Sequence, residues 1–200
     1  MKKSHILLLI FAILLSSCRP VMMKYYGIKK PRIENEQSLI RKDKRFGFGT
    51  NNIVSSNSDN FLHILNGQGI PDAKIYAKFG NYIEFKSNDS ACNAELSEFI
   101  QNLHKDTIYK TSEYPNFFEE YSKYRDLKGN DLPKPNSADF YIVIFWTAWT
   151  GRLNKTHVKI WEELAKENKN CEIEVLKLNL DIQNHWNKEE RERIIKVFSY

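Results

Sequence analysis

In the last third of the chain, stretches with the apolar pattern of a strand and stretches with that of a helix follow one another. Residues 140–146 form an unbroken apolar run rich in β-branched and aromatic side chains, which predicts a central strand covered on both faces. Apolar positions within 160–165 recur at the spacing of an amphipathic helix, and a similar pattern returns over 188–198. Between them, alternating apolar residues over 173–180 predict a second strand. Strand, helix, strand and helix in this order indicate a parallel crossover.

The middle of the chain carries shorter patterns that predict a further mixed α/β segment. Its predicted elements are, in order, a helix at 34–45, a strand at 52–55, a helix at 61–65, strands at 75–77 and 82–85, and a helix at 96–103. Phe79, Gly80 and Asn81 separate the two neighbouring strands and are typical of a hairpin turn. The fold class indicated is therefore α/β, with a sheet flanked by helices.

Changes in composition divide the chain into five parts. Gly129, Pro133 and Pro135 lie among polar residues and mark a connector between the two α/β segments. The parts are a leader at 1–17, a basic tether at 18–32, a first α/β segment at 33–125, the connector at 126–138 and a second α/β segment at 139–200.

The leader has the layout of a bacterial export signal. Two lysines follow Met1, and the apolar run at 6–15 is shorter than the roughly 20 residues that a membrane-spanning helix needs. Residues 15–18 read Leu-Ser-Ser-Cys, which resembles the lipobox of bacterial lipoproteins. The resemblance implies cleavage before Cys18 and a diacylglyceryl group on its sulfur. The protein would then be anchored in the cell envelope, on the inner or the outer membrane. The alternative is an ordinary secretory signal that happens to precede a cysteine.

Composition allows a buried core, and the distribution of charge adds a candidate surface. Hydrophobic residues make up 42% of the chain and aromatic residues 13%, enough for a globular domain. Nine lysines or arginines but only three acids lie between positions 19 and 45. Such a segment either lies on anionic lipid headgroups or forms a solvated tether and a charged helix. Neither a nucleic-acid-binding motif nor a metal-ligand pattern is present in the sequence, so we expect neither partner.

Residues 145–153 read Phe-Trp-Thr-Ala-Trp-Thr-Gly-Arg-Leu, and this order resembles the active-site strand and turn of thioredoxin. In that family the sequence is close to Phe-Trp-Ala-x-Trp-Cys-Gly-Pro-Cys. Residues 175–181 read Val-Leu-Lys-Leu-Asn-Leu-Asp and are similar to the family's second core strand. The resemblance covers about sixty residues and implies a thioredoxin-like sheet flanked by helices.

The sequence departs from the family at the two positions that carry its chemistry. Thr150 and Leu153 stand where the redox cysteines would be, within a degenerate turn that also contains Trp149 and Gly151. Disulfide exchange needs a thiolate nucleophile and a second sulfur to close the disulfide. A threonine hydroxyl and a leucine side chain supply neither. Dithiol oxidoreductase activity is therefore excluded at this turn, and no cofactor or catalytic residue is predicted.

The pieces that follow the redox turn in thioredoxin resemble residues that come earlier in this chain. Gly69, Ile70 and Pro71 are followed by the predicted hairpin and by the helix near residues 94–103, an order similar to the family's C-terminal half. We therefore hypothesise that the two halves are permuted, with the strand at 140–146 beside the strand at 75–77. The alternative is two degenerate thioredoxin-like units. The resemblance also implies that Pro71 takes the place of the family's cis-proline, against the turn.

Two cysteines and one tryptophan remain as candidates. Cys92 precedes a predicted helix, where a thiolate would be stabilised, so it is a candidate reactive thiol. The alternatives are a packed cysteine without chemistry and the disulfide partner of Cys171. Trp149 is either a surface residue beside the turn or part of the core.

These observations favour a membrane-anchored, redox-inactive thioredoxin-like protein that binds a protein or peptide in the cell envelope. Two alternatives remain open: a thiol-reactive protein that uses Cys92, and a lipoprotein with a purely structural role in the envelope.

Overall fold

A mixed β-sheet of seven strands runs through the centre of the protein. The computed structural model describes residues 18–67, 69–86 and 93–198. The predicted leader at 1–17 and the candidate thiol Cys92 lie outside the described residues. The strands are β1 (Ile33–Glu34), β2 (Ile53–Ser56), β3 (Asp72–Ala77), β4 (Tyr82–Ile83), β5 (Thr111–Ser112), β6 (Tyr124–Arg125), β7 (Phe140–Trp146), β8 (Ile173–Asn179) and β9 (Ile182–Gln183).

Helices cover the sheet and fill the connections between its strands. They are α1 (Cys18–Tyr26), α2 (Glu36–Phe46), α3 (Ser58–Gly67), α4 (Asn93–Gln101), α5 (Phe117–Tyr121), α6 (Leu153–Thr156), α7 (Val158–Glu167) and α8 (Lys188–Val197). The fold is thus mixed α/β, as predicted.

The predicted central strand is confirmed as β7, which lies in the middle of the sheet. The strand order is β5-β4-β3-β7-β8-β2-β6. β8 pairs with β7 in parallel, with α6 and α7 between them in the chain, which confirms the predicted parallel crossover. β2 is parallel to β8, and β6 adds an antiparallel edge. A separate pair is formed by β1 and β9.

Strands from both predicted α/β segments belong to this one sheet. β3 of the first segment pairs with β7 of the second in antiparallel register, with Ala73 opposite Ile144 and Ala77 opposite Phe140. The predicted hairpin between β3 and β4 is confirmed, because the Ala77 N–H donates to the Asn81 carbonyl at 2.9 Å.

The sheet is buried on both faces, and β7 contributes to two cores. Side chains from Phe140 to Trp146 alternate between them, and each of the seven is at most 4% exposed. One core contains residues of α2, α4 and α7, and the other contains residues of α3, α5 and α8. Full burial of one such apolar side chain contributes about 1.5–3 kcal/mol, so the apolar run is sufficient to fix β7 at the centre.

The basic segment 18–32 contains the helix α1. Val21, Met22 and Tyr25 on this helix are half or more exposed. After α1 the backbone lies against the turn that follows β7, through the hydrogen bonds described below. The sequence does not reveal this contact, since it is made through main-chain groups, which carry no side-chain pattern.

Helix α2 is fixed at both ends, and it forms one wall of the site described next. Asn35 and Ser38 form a capping box in which each side chain accepts from the other residue's backbone N–H at 2.9 Å. At the other end, Gly47 adopts a left-handed conformation and donates to the Asp43 carbonyl at 2.8 Å. Lys44 and Arg45 in the last turn complement the helix dipole.

Candidate functional site

The turn that follows β7 is held by hydrogen bonds among its own polar side chains. A short 3₁₀ helix at Ala148–Thr150 is followed by Gly151 and then by α6. The Thr150 hydroxyl donates to the Thr147 carbonyl at 2.8 Å, and Asn154 Nδ2 donates to the same carbonyl at 2.8 Å. Thr150 is only 2% exposed. The Thr150 side chain therefore serves the structure of the turn and does not face solvent.

Other predicted site residues lie at the same end of the sheet. Pro71 is buried, and its peptide bond with Ile70 is cis. The residue after Pro71 pairs with Phe145, which places the proline where β7 ends and the turn begins. Leu153 is half-buried. Trp149 is also half-buried, and its indole N–H has no acceptor within the part of the chain that the structure describes.

The backbone after α1 covers part of this turn. The Lys29 N–H donates to the Trp149 carbonyl at 2.9 Å, and the Arg152 N–H donates to the Tyr26 carbonyl at 2.7 Å. Gly151 lies directly beneath, so close that a Cβ on it would be 2.4 Å from the Tyr26 carbonyl oxygen. The end of α1 and the residues after it thus pack on the turn, and the small size of Gly151 permits the contact.

Replacing Gly151 with alanine is expected to release this segment. The added methyl group collides with the Tyr26 carbonyl, and the φ of +62° at Gly151 is unfavourable for alanine. Limited digestion with trypsin should cut after Lys24 and Lys29 about tenfold faster than in the wild type, because the local opening that cleavage requires becomes easier.

Gly27→Ala is the matched control for this variant. Gly27 has a φ of +67°, but an added Cβ would have no neighbour within 4 Å. It therefore places alanine at a positive φ without the collision. If trypsin cuts Gly151→Ala no faster than Gly27→Ala, the conclusion that packing on the turn protects this segment is wrong.

A cleft of about 430 Å³ opens between the segment after α1, helix α2 and the turn. Tyr26, Phe46 and Trp149 contribute aromatic surface to its walls. Seven cationic residues also line it, namely Lys29, Lys30, Arg32, Lys42, Arg45, Arg152 and Lys155. The acidic residue among its lining is Glu34. We call this feature the cationic cleft.

Among the residues that the structure describes, most of the positive charge in the cationic cleft has no carboxylate partner. Glu34 is buried, forms an ion pair with Lys42, and accepts from Ser38 Oγ at 2.7 Å. Arg152 Nη1 donates to the Tyr25 carbonyl at 3.2 Å. Across residues 18–67, 69–86 and 93–198, no carboxylate forms an ion pair with the five remaining cations, Lys29, Lys30, Arg32, Arg45 and Lys155. A concave surface of one charge sign raises the local concentration of counter-ions and of ligands with the opposite charge.

The buried carboxyl group of Asp181 binds the start of the turn. Asp181 Oδ2 accepts from the Ala148 N–H at 2.6 Å and from Asn179 Nδ2 at 2.7 Å. Burial raises the pKa of Asp181 to about 7, although the hydrogen bonds from Ala148 and Asn179 oppose this rise. Asn179 is held in turn by Gln183 Nε2, which donates to its side-chain oxygen at 2.7 Å. Apart from the Asn-x-Asp order at 179–181, nothing in the sequence singles out this network.

A second buried cluster lies on the core side of α7. Lys177 Nζ donates to Glu162 Oε1 at 2.8 Å, and both side chains are almost fully buried. Burial opposes ionisation of Glu162, but hydrogen bonds from Lys177, the Gly49 N–H and Lys166 outweigh it and hold its pKa below the ordinary value. Asp43 is fully buried nearby, and burial raises its pKa to about 8. Neither carboxyl oxygen of Asp43 has a hydrogen-bond partner among the described residues. These groups face the core, so they bear on stability rather than on binding.

Of the two cysteines considered as thiols, the structure describes only Cys171, and its surroundings disfavour a reactive thiolate. Burial raises the pKa of the Cys171 thiol to about 11, and nearby Asp139 adds to the rise. Cys171 is half-buried at the entrance to β8, with its sulfur 3.5 Å from the Leu103 carbonyl oxygen. Cys92, and with it the question of a Cys92–Cys171 disulfide, lies outside the described residues. Within the described ranges, no group of three or more His, Cys, Asp or Glu side chains is placed to hold a metal ion.

Sequence reasoning identified the turn and the basic segment but not the cleft between them. Lys42 and Arg45 belong to the excess of positive charge at positions 19–45, whereas Arg152 and Lys155 lie more than a hundred residues later.

Comparison with known proteins adds no relative, because no family model, no curated protein and no solved structure matches the chain. Among the described helices, none has the length and apolar character needed to cross a bilayer.

Proposed function

We propose that this protein is a lipoprotein of the bacterial cell envelope, anchored through a lipid on Cys18, that binds a protein or peptide without redox chemistry. The anchor is supported by the charged start, the short apolar run and the Leu-Ser-Ser-Cys order at residues 15–18. The membrane carrying it is the inner or the outer one.

The fold that we propose for the binding module is thioredoxin-like with permuted halves. Two features support this proposal. β3 and β4, which follow the Ile70–Pro71 bond, lie beside β7 in the order that the permutation requires. The turn with the thioredoxin-like sequence directly follows β7, at the same end of the sheet as Pro71.

The observation that carries the binding role is the cationic cleft beside a turn that has no sulfur. Thr150 is buried and bonded within the turn, and Leu153 has no reactive group. The turn retains a surface for binding. It consists of the half-buried Trp149 and of two backbone groups that bond to the chain at and after the end of α1. A fold can keep its binding surface after losing its chemistry, and function must be argued from what the site retains.

Quantitative co-purification from detergent-solubilised envelopes tests this role. The full-length wild type is compared with Trp149→Ala, which removes an aromatic wall of the cleft. Phe79→Ala is the control, since Phe79 is an exposed aromatic residue in the hairpin turn between β3 and β4. We expect at least one protein to be depleted about tenfold or more with Trp149→Ala and retained with Phe79→Ala, as expected for loss of an aromatic anchor. An identical set of proteins with all three forms would contradict the proposal.

A further inference from the structure

The cationic cleft has an excess of positive charge that the carboxylates of the described residues do not neutralise. Lys42 and Arg152 have partners in the structure, and the single lining acid, Glu34, is engaged by Lys42 and Ser38. The other five cationic side chains lie on three different walls and have no ion-pair partner in the described parts of the chain. Bringing like charges together opposes folding, so this arrangement costs stability unless a ligand of opposite charge offsets it.

We propose that the ligand of the cationic cleft is an acidic peptide segment, one that presents several aspartates or glutamates within a few residues. This inference rests on the proposed binding function and specifies the chemistry of its partner. Arginine and lysine side chains bind carboxylates through charge-assisted hydrogen bonds, which are stronger than neutral ones. Lys155 from the turn side and Arg45 from α2 stand on different walls, so adjacent acidic side chains can each meet a cation.

Shape favours a peptide over a lipid surface. The cations line the walls of a concavity of about 430 Å³, a size typical of sites that enclose a small ligand or a few side chains. A membrane presents its headgroups in a plane, whereas acidic side chains on an extended peptide can project into a cleft. The turn also has backbone groups that already bond to main-chain groups, since the Trp149 carbonyl accepts from the Lys29 N–H and the Arg152 N–H donates to the Tyr26 carbonyl. The aromatic walls add contact area for the peptide's carbon atoms.

A direct binding measurement tests the inference. The protein is prepared from residue 18 with Cys18→Ser, a form that contains every described element. The probe is a fluorescein-labelled peptide of alternating glutamate and glycine, followed by fluorescence anisotropy at low ionic strength. We expect binding that weakens at least about tenfold when Arg45→Glu and Lys155→Glu are combined, and that weakens again as salt is raised.

A second double variant controls for net charge. Lys134→Glu with Lys169→Glu makes the same change at two exposed lysines that do not line the cleft. This control should bind the acidic peptide within about twofold of the parent protein, because distant exposed charges are screened. Equal weakening by both double variants would overturn the inference, since it would mean attraction by net charge alone.

Other anions give outcomes that also decide the question. Tighter binding to vesicles containing phosphatidylglycerol than to the peptide, lost with the cleft variant, would assign the cleft to a membrane surface instead. Displacement of the peptide by low-millimolar inorganic phosphate would assign it to a small phosphate ligand. The inference and the proposed function can fail separately. If a partner depleted by Trp149→Ala is retained by Arg45→Glu with Lys155→Glu, the binding function stands and only the inference of an acidic ligand is wrong.

Discussion

Replacing Lys177 with methionine is expected to lower the free energy of unfolding by up to about 3–5 kcal/mol, because the buried carboxylate of Glu162 loses its buried cation and keeps only Lys166 and the Gly49 N–H. Lys177 Nζ lies 2.8 Å from Glu162 Oε1, and both side chains are at most 5% exposed. Methionine preserves most of the volume and apolar length of the lysine stem. The loss therefore reports the missing buried cation beside Glu162 and not a cavity. Urea unfolding followed by far-UV circular dichroism measures it.

Two further variants make this measurement interpretable. Adding Glu162→Gln to Lys177→Met removes the carboxylate charge and should restore part of the lost stability, since a neutral amide is less costly to bury than a carboxylate. Lys169→Met is the surface control, and we expect it to change the free energy of unfolding by less than about 0.5 kcal/mol. If Lys177→Met lowers the free energy of unfolding no more than Lys169→Met does, the buried pair does not stabilise the protein as proposed.

Replacing Asp43 with asparagine is expected to stabilise the protein, and by an amount that grows with pH. Burial raises the pKa of Asp43 from the ordinary 3.8 to about 8. Between these two values the unfolded chain gives up a proton that the folded protein keeps, so ionisation of Asp43 favours the unfolded state increasingly as pH rises. The variant has no such group. Its advantage should be small near pH 4, grow by at most about 1.4 kcal/mol per pH unit, and become constant above pH 8.

Denaturant unfolding of Asp43→Asn and of the wild type at pH 4.5, 6, 7.5 and 9 tests this sign and window. Asp181 gives the wild type and the variant the same additional slope, because its pKa is raised to about 7 in both, so only the difference between them is informative. Asp59→Asn, at an exposed aspartate on α3, serves as the control. A difference between Asp43→Asn and the wild type that does not change with pH would show that Asp43 is already ionised in the folded protein.

The sheet could be predicted from the sequence where burial on both faces leaves a simple pattern. The apolar run at 140–146 is such a case, and it became β7 with the same bounds. The hairpin between β3 and β4 was equally predictable, because Gly80 supplies the positive φ that its turn needs. Lys177 falls at a polar position of an alternating strand pattern, so the sequence predicted the strand but not that this lysine is buried.

The cationic cleft could not be predicted, because it depends on which distant residues meet. Its cations come from the segment after α1, from α2 and from the residues beyond Gly151, and no short-range pattern links these three. The contact that joins them runs through backbone atoms of Tyr26 and Lys29, which carry no side-chain signature. Gly151 was the available signal, but a glycine in a turn is also explained by conformation alone.

The most direct measurement of the central claim places a photo-crosslinking amino acid at position 149 of the full-length protein in intact cells. The same amino acid at position 79 reports on an exposed aromatic site away from the cationic cleft. A ligand-binding cleft predicts a discrete adduct of higher mass at position 149 and none at position 79. The absence of any adduct at position 149, or the same adducts at both positions, would contradict a binding site beside this turn.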